Sequence, residues 1–133
     1  MIGIVIVAHG GLAREYLAAV EHVVGKQGGI RAIAIEEDHD RSAKQAEITA
    51  AADAVDDGDG VVVVTDMFGG SPSNLSLCAC AKADRQILYG ANLPMLIKLA
   101  KSRTMPFRQA TAAALDAGRK YIDCYIGSGQ GGA

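Results

Sequence analysis

Residues 2–11 read IGIVIVAHGG, and this stretch decides the fold. Apart from one glycine, its first six residues are all isoleucine or valine, with no alternation of apolar and polar side chains. Such a run is typical of a strand that is buried on both faces of a parallel sheet. The sequence His9-Gly10-Gly11 then interrupts the apolar pattern, so an imidazole is predicted to lie where a buried strand ends.

Strands and helices are predicted to alternate along the rest of the chain. Residues 61–65 form a second continuous apolar run, and the segments 30–36 and 86–89 predict two more strands. Helical periodicity and capping residues predict helices at 12–24, at 41–55, from 71 onwards, at 92–101 and at 106–117. Ser71 is predicted to cap the third helix and Gly118 to end the last one. This alternation predicts an α/β protein, a three-layer α/β/α fold with a mainly parallel sheet.

The C-terminal segment 120–126 has a different pattern, because its apolar and polar side chains alternate. Its two isoleucines and its cysteine share one face, which predicts a half-exposed strand at a sheet edge. An exposed edge must be paired or covered, so this strand is a first indication of a homodimer. We therefore expect one domain at 1–126 and a flexible glycine-rich tail at 127–133. The G-x-G-x-x-G match in that tail predicts no nucleotide site, because no helix follows it.

The composition excludes several classes of function. The chain has 133 residues, of which 50% are hydrophobic and 21% charged, with a formal net charge of -2. This charge argues against nucleic acid or an anionic membrane as the main partner. No apolar run approaches the ~20 residues of a membrane-spanning helix, and the N-terminus lacks the basic start of a signal peptide, so the cytoplasm is the expected location. The three cysteines predict neither a full set of disulfides nor a zinc site.

The predicted topology places the ends of the first and third strands side by side. If the first strand is central, the second lies on one side of it and the third and fourth on the other, which gives the order 2-1-3-4. Ligands of open parallel sheets bind beyond the carboxyl ends of the strands, where this order reverses. His9 follows the first strand and Asp66 the third. Neighbouring strands lie about 4.8 Å apart, so the two side chains are predicted to reach each other.

A histidine paired with a carboxylate can act as a base, a metal ligand or a covalent nucleophile. Its surroundings here favour a nucleophile that accepts a phosphoryl group. Glycines at positions Gly10, Gly69 and Gly70 let an anion approach the main chain, and helix N-termini attract negative charge. Ser71 adds a hydroxyl donor. These four residues are therefore candidate phosphate-binding residues around the candidate catalytic pair.

Other interpretations of the titratable residues are weaker. A metal site is not expected, because one histidine and one aspartate fall short of the three protein ligands that a catalytic zinc usually has. His22 is expected to be a surface or packing residue of a helix, and His39 a residue of a solvated polar turn. A nucleotide or flavin binder is a further alternative. The absence of tryptophan and of a G-x-x-x-x-G-K-[ST] motif counts against it.

These motifs resemble those of the IIA domain of the mannose-type phosphoenolpyruvate-dependent sugar phosphotransferase system. The matching features are an apolar strand ending in A-H-G, the loop D-M-F-G-G-S-P-S-N at 66–74 and the segment A-N-L-P-M-L at 91–96. The likeness covers nearly the whole of residues 1–126. It implies a parallel sheet with helices on both faces. It also implies a homodimer that exchanges a C-terminal antiparallel edge strand, which residues 120–126 would match.

The resemblance also implies a function and its residues. His9 would carry a transient phosphoryl group, Asp66 would orient its ring, and Ser71 would be the active-site serine. The chain would then be a phosphotransferase component with no cofactor. Its donor would be the phosphorylated histidine phosphocarrier protein and its acceptor a IIB domain or protein. It would meet the membrane only through a transporter complex.

Two alternatives to sugar uptake remain open. Fused relatives continue into a IIB domain, whereas this chain stops after a short tail, so a stand-alone regulatory IIA protein that controls a partner is one alternative. The other is a phosphoryl donor to dihydroxyacetone kinase. In that subfamily the loop resembles D-M-G-S-A, so G-G-S-P at 69–72 favours the sugar-transport branch.

Overall fold

Four parallel strands form the centre of the fold in a computed structural model, which describes residues 1–67, 69–82 and 84–127. The strands are β1 (Gly3–His9), β2 (Ile30–Ile35), β3 (Val61–Thr65) and β4 (Arg85–Leu88). Their order in the sheet is β2-β1-β3-β4, which confirms the predicted order. Their ends differ from the predicted ends by at most one residue.

Helices cover both faces of this sheet. They are α1 (Leu12–Val24), α2 (Arg41–Ala54), α3 (Ser71–Ser76), α4 (Leu93–Lys101) and α5 (Phe107–Lys120), with a short 3-10 helix at Cys78–Cys80. Buried residues of α1, α4 and α5 form one core with the sheet, and those of α2 and α3 form a second core on the opposite face. The predicted three-layer architecture is therefore confirmed.

The central strand β1 contributes to both cores. Ile4 and Ile6 belong to the core with α1, α4 and α5, whereas Val5 and Val7 belong to the core with α2 and α3. All four side chains are at most 2% exposed. Burial of each such side chain contributes about 1.5–3 kcal/mol, which explains why this strand is apolar on both faces.

Two predictions about helix ends are wrong. Gly70, not Ser71, occupies the N-cap position of α3, and no side chain caps this helix. Gly118 does not end α5 but lies buried within it. A Cβ at that position would lie 3.1 Å from Met95 Cβ, so the glycine allows close packing of α4 and α5.

The predicted C-terminal edge strand is not formed within a single chain. Lys120 is the last residue of α5, and residues 122–126 have no regular secondary structure. The outer edge of β4 has no strand partner among the described residues. The segment 121–126 pairs with no strand of its own chain among the described residues, and all six of its residues are exposed.

Of the predicted glycine-rich tail, only Gly127 is among the described residues. Residues 128–133 of the predicted glycine-rich tail lie outside the described residues. In the part of the chain that the structure describes, no helix has both the length and the apolar character needed to cross a bilayer. The three cysteines are free thiols.

Candidate active site

The strand order brings His9 and Asp66 together at one edge of the sheet. His9 is the last residue of β1, and Asp66 directly follows β3. Val7 of β1 pairs with Thr65 of β3, so the two strand ends lie side by side. The side chain of His9 is 51% exposed and that of Asp66 only 12%. The predicted pair is therefore an accessible ring held by a largely buried carboxylate.

One carboxylate oxygen of Asp66 holds His9 at two points. Oδ2 lies 2.8 Å from His9 Nδ1 and accepts a 3.0 Å hydrogen bond from the His9 backbone N–H. Because an ionised carboxylate only accepts hydrogen bonds, this contact favours the tautomer with its proton on Nδ1. Nε2 then carries the lone pair and is the atom that can bond to an electrophile.

The ionisation of Asp66 suits this arrangement. Burial acts to raise the pKa of the carboxyl, but the hydrogen bonds from the backbone and ring of His9 outweigh burial. The pKa of Asp66 therefore lies below its ordinary value. Asp66 is thus negatively charged at neutral pH and can stabilise positive charge that develops on the imidazole.

Only one oxygen of the Asp66 carboxylate contacts His9. Asp66 Oδ1 and the neighbouring Thr65 Oγ1 are both buried, with no hydrogen-bond partner among the described residues.

Tyr16 of α1 donates its hydroxyl to the Ala91 carbonyl at 3.0 Å. Burial, and secondarily the negative charge of Asp66, raise the pKa of that phenol. The tyrosine therefore stays neutral beside the carboxylate.

The predicted phosphate-binding glycines differ in what they offer. Gly10 and Gly69 have positive φ angles of 56° and 83°, which favour glycine. Their N–H groups, however, donate to other protein oxygens at 3.0 and 3.1 Å, so these two amides are engaged in this structure. At Gly70 a Cβ would lie 3.3 Å from His9 Cε1, so the lack of a side chain lets the loop approach the ring.

A cavity of about 440 Å³ lies at this edge of the sheet. Its lining residues are His9, Gly10, Ile35, Glu36, Glu37, His39 and Ser71. Ser71 is half-buried, and because it does not cap α3, its hydroxyl is available to a group in the cavity. The cavity thus brings the exposed imidazole of His9 and the hydroxyl of Ser71 into one space.

Three residues of this cavity are not revealed by the sequence motifs, namely Glu36, Glu37 and His39. They follow β2, whose last residue Ile35 pairs with His9. The topology could have identified them, because β2 is the other neighbour of β1 and its carboxyl end lies at the same edge. His39 lies in the polar turn predicted for it, whose other residues are exposed, and is itself half-buried against the cavity, which the sequence did not predict. His22 is exposed on α1, as expected.

Other parts of the described chain offer less chemistry. A cavity of about 410 Å³ lies against β2 and α2 and is lined mainly by alanine and isoleucine side chains, with Arg31 and Glu47. Across residues 1–67, 69–82 and 84–127, no group of three or more His, Cys, Asp or Glu side chains is placed to hold a metal ion. The chemically distinctive site is therefore the edge that carries His9.

The site is therefore a carboxylate-held imidazole at the carboxyl edge of a parallel sheet. A family model described as the PTS system fructose IIA component, of the EIIA-man type, matches residues 3–116. The abbreviation PTS stands for phosphotransferase system. Since the match covers most of the sequence, the chain belongs to this family of phosphotransferase system IIA components.

Individual relatives agree with this assignment. The mannose-specific EIIAB component of the PTS of Escherichia coli (strain K12) is 29% identical over 124 residues, which are 91% of this chain. The chain spans only 38% of that relative's length. The phosphotransferase system component EIIA from Streptococcus agalactiae superposes with a TM-score of 0.83 at 26% identity and covers 93% of this chain and 97% of its own.

A second solved structure is also similar. It is the PTS IIA protein associated with the fucose utilization operon of Streptococcus pneumoniae, with a TM-score of 0.76 and 25% identity. The match covers 86% of this chain and 89% of that protein. Fold and family therefore agree.

Proposed function

We propose that this chain is a phosphohistidine carrier of a phosphoenolpyruvate-dependent phosphotransferase system. It accepts a phosphoryl group on His9 from the phosphorylated histidine phosphocarrier protein and passes it to a IIB component for sugar uptake. The observation that carries the proposal is the 2.8 Å contact between His9 Nδ1 and Asp66 Oδ2. This contact leaves Nε2 as the nucleophilic atom of a half-exposed ring. Membership of the IIA family supports the identity of donor and acceptor.

The uptake step is a single displacement at phosphorus. The lone pair of His9 Nε2 attacks the phosphorus of the donor phosphohistidine, in line with the bond that breaks. A new N–P bond forms as the donor N–P bond breaks, and the donor imidazole leaves with that bond's electron pair. Asp66 stabilises the positive charge that develops on the His9 ring, and the Ser71 hydroxyl donates to a phosphoryl oxygen. Delivery is the same displacement with the IIB nucleophile attacking the phosphoryl group on His9.

Phosphoryl transfer from phosphoenolpyruvate tests the proposal directly. The chain is mixed with phosphoenolpyruvate, enzyme I and the phosphocarrier protein, and its intact mass is measured. We expect one phosphoryl group per chain, stable in base and labile in acid, and none in His9→Ala. His22→Ala is the matched control, because His22 is exposed on α1 and does not line the cavity. Stoichiometric labelling of His9→Ala, or no labelling of the wild type, would contradict the proposal.

A second measurement concerns the acceptor. Purified phosphorylated chain is mixed with the IIB component of a mannose-type system, and loss of label from His9 is followed. Loss that depends on IIB favours the role in sugar uptake. Retention of the label in the presence of IIB favours a regulatory role, in which the phosphorylated state controls a different partner.

We also propose that two copies pair through the C-terminal segment 121–126. Its tyrosine and isoleucine side chains are between 53% and 76% exposed, and the outer edge of β4 has no strand partner among the described residues. An alternating apolar segment and an open sheet edge complement each other as an added antiparallel strand from a second copy. Light scattering should give a dimer for the full chain and a monomer for a chain that ends after Tyr121. A monomeric full chain would contradict this pairing.

A further inference from the structure

His39 lies in the wall of the cavity that holds His9. The register of the sheet explains this position, because Ile35 at the end of β2 pairs with His9 at the end of β1. The chain therefore leaves β2 beside the candidate phosphoryl acceptor and turns through residues 36–40 before α2 begins. His39 is half-buried in that turn and lines the cavity together with Ser71.

The orientation of the His39 ring is fixed by the main chain. His39 Nδ1 lies 2.8 Å from the carbonyl oxygen of Glu36. A carbonyl oxygen can only accept a hydrogen bond, so Nδ1 carries the proton and donates. Nε2, which has no hydrogen-bond partner among the described residues, is the ring nitrogen available to a group in the cavity. Its local geometry parallels that of His9, whose Nδ1 is held by Asp66.

The charged side chains that line the cavity are negative, apart from its two histidines. Glu36 and Glu37 line the cavity, and no lysine or arginine is among its lining residues. A phosphoryl group adds a charge of about -1.5 to -2 at neutral pH. Apart from the acceptor His9, His39 is the only lining side chain that can carry a positive charge. When both ring nitrogens of His39 carry protons, its Nε2–H can donate to an anion in this space.

We infer that His39 is a phosphoryl-binding residue, whose Nε2–H donates to an oxygen of the group carried on His9. This inference rests on the proposed function and adds a residue from β2 to the predicted set from β1 and β3. His39 would hold the phosphoryl group against the repulsion of Glu36 and Glu37. The two glutamates would in turn disfavour free anions that arrive without a partner protein.

Loss of the His39 side chain should shorten the lifetime of the phosphorylated form. Loss of a hydrogen bond to a charged group corresponds to about a tenfold change or more in an equilibrium or rate. We therefore expect the phosphoryl group of isolated phosphorylated His39→Ala to hydrolyse about tenfold faster than that of the wild type. His39→Gln, which keeps an N–H donor of similar reach, should restore part of the lifetime. His22→Ala should match the wild type.

Thermal unfolding separates phosphoryl binding from a purely structural role of the turn. His39 Nδ1 also donates to the Glu36 carbonyl oxygen, so His39→Ala can lower the stability of the fold without any phosphoryl group. A residue that only braces the turn would lower the melting temperature equally in phosphorylated and unphosphorylated protein. A phosphoryl-binding residue would lower it more in the phosphorylated protein, and this difference is the coupling between residue and ligand.

The outcomes distinguish this inference from the proposed function. If the wild type takes up no phosphoryl group on His9, the proposed function fails and the inference fails with it. If the wild type is labelled but His39→Ala has an equal lifetime and an equal melting-temperature change in both forms, only the inference is overturned. A shorter lifetime, partial rescue by His39→Gln and a larger effect in the phosphorylated form would support it. If His39→Ala does not fold, the same comparisons are made with His39→Gln against His22→Gln.

Discussion

Replacement of Asp66 by asparagine tests the site sharply, because it removes the charge and keeps the shape. If the amide oxygen takes the place of Oδ2, both hydrogen bonds from His9 persist as neutral bonds. The NH2 group then occupies the buried position of Oδ1, which has no partner among the described residues. If the NH2 group faces His9 instead, the backbone N–H loses its acceptor and the ring must hold its proton on Nε2, which removes the lone pair.

The expected magnitude follows from the two hydrogen bonds of 2.8 and 3.0 Å. A hydrogen bond to a charged group contributes about 1.5–3 kcal/mol and a neutral one about 0.5–1.5 kcal/mol. With about 1 kcal/mol lost at each, the free energy of unfolding of Asp66→Asn should fall by about 2 kcal/mol. Loss at the ring alone should slow phosphorylation of His9 about fivefold, since about 1.36 kcal/mol corresponds to a factor of ten. The placement with NH2 toward His9 would slow it further.

The lowered pKa of Asp66 adds a pH signature. A carboxyl whose pKa in the folded protein is below its unfolded value of about 3.9 stabilises the fold above that value. It loses this contribution as the pH falls through the folded pKa. The difference in free energy of unfolding between wild type and Asp66→Asn should therefore be full at neutral pH and shrink below about pH 4.

Two measurements check this prediction. Urea unfolding of both proteins at neutral pH and near pH 3 gives the stability difference and its pH dependence. Rapid mixing with the phosphorylated carrier, followed by intact mass, gives the rate of labelling. Equal labelling rates in the two proteins would refute the view that Asp66 orients the His9 ring and stabilises positive charge on it. A stability difference that persists unchanged at low pH would refute the assigned ionisation.

The packing of the fold gives three further predictions, each checked by urea unfolding. Leu99→Ala removes a fully buried side chain and should lower the free energy of unfolding by about 2–5 kcal/mol; a smaller loss would mean that the core collapses into the space. Gly3→Ala would place a Cβ against the Val55 carbonyl oxygen, inside van der Waals contact distance, and should cost about 1–3 kcal/mol or more, whereas wild-type stability would argue against this close approach. Tyr16→Phe removes the hydroxyl that donates to Ala91 and should cost about 0.5–1.5 kcal/mol; no change would mean that water replaces this bond without loss.

The sheet was predictable because its strands obey a simple rule. Side chains of β1 alternate between two cores that are both apolar, so the strand shows as an unbroken apolar run. The order 2-1-3-4 followed from placing this strand at the centre. That order alone predicted the contact between His9 and Asp66, which are 57 residues apart in the chain.

Details that depend on packing between elements were not predictable. Gly118 has the sequence signature of a helix end, but its position against Met95 makes it a contact residue inside α5. Whether the amides of Gly10 and Gly69 are free depends on hydrogen bonds to other segments, which no local motif encodes. The place of His39 in the cavity was missed for the same reason, because it depends on which strand ends lie next to the turn.

The separation of the two halves of the reactive pair has a practical consequence. Each half comes from a different strand, and a slip of one position between β1 and β3 would shift the ring and the carboxylate by about 3.3 Å relative to each other, which would break their 2.8 Å contact. A molecule with that error would lack the contact between His9 and Asp66 on which the proposed function rests. Under the proposed function, the fraction of molecules that take up a phosphoryl group would therefore measure the fraction with the correct register, which the content of helix and strand does not report.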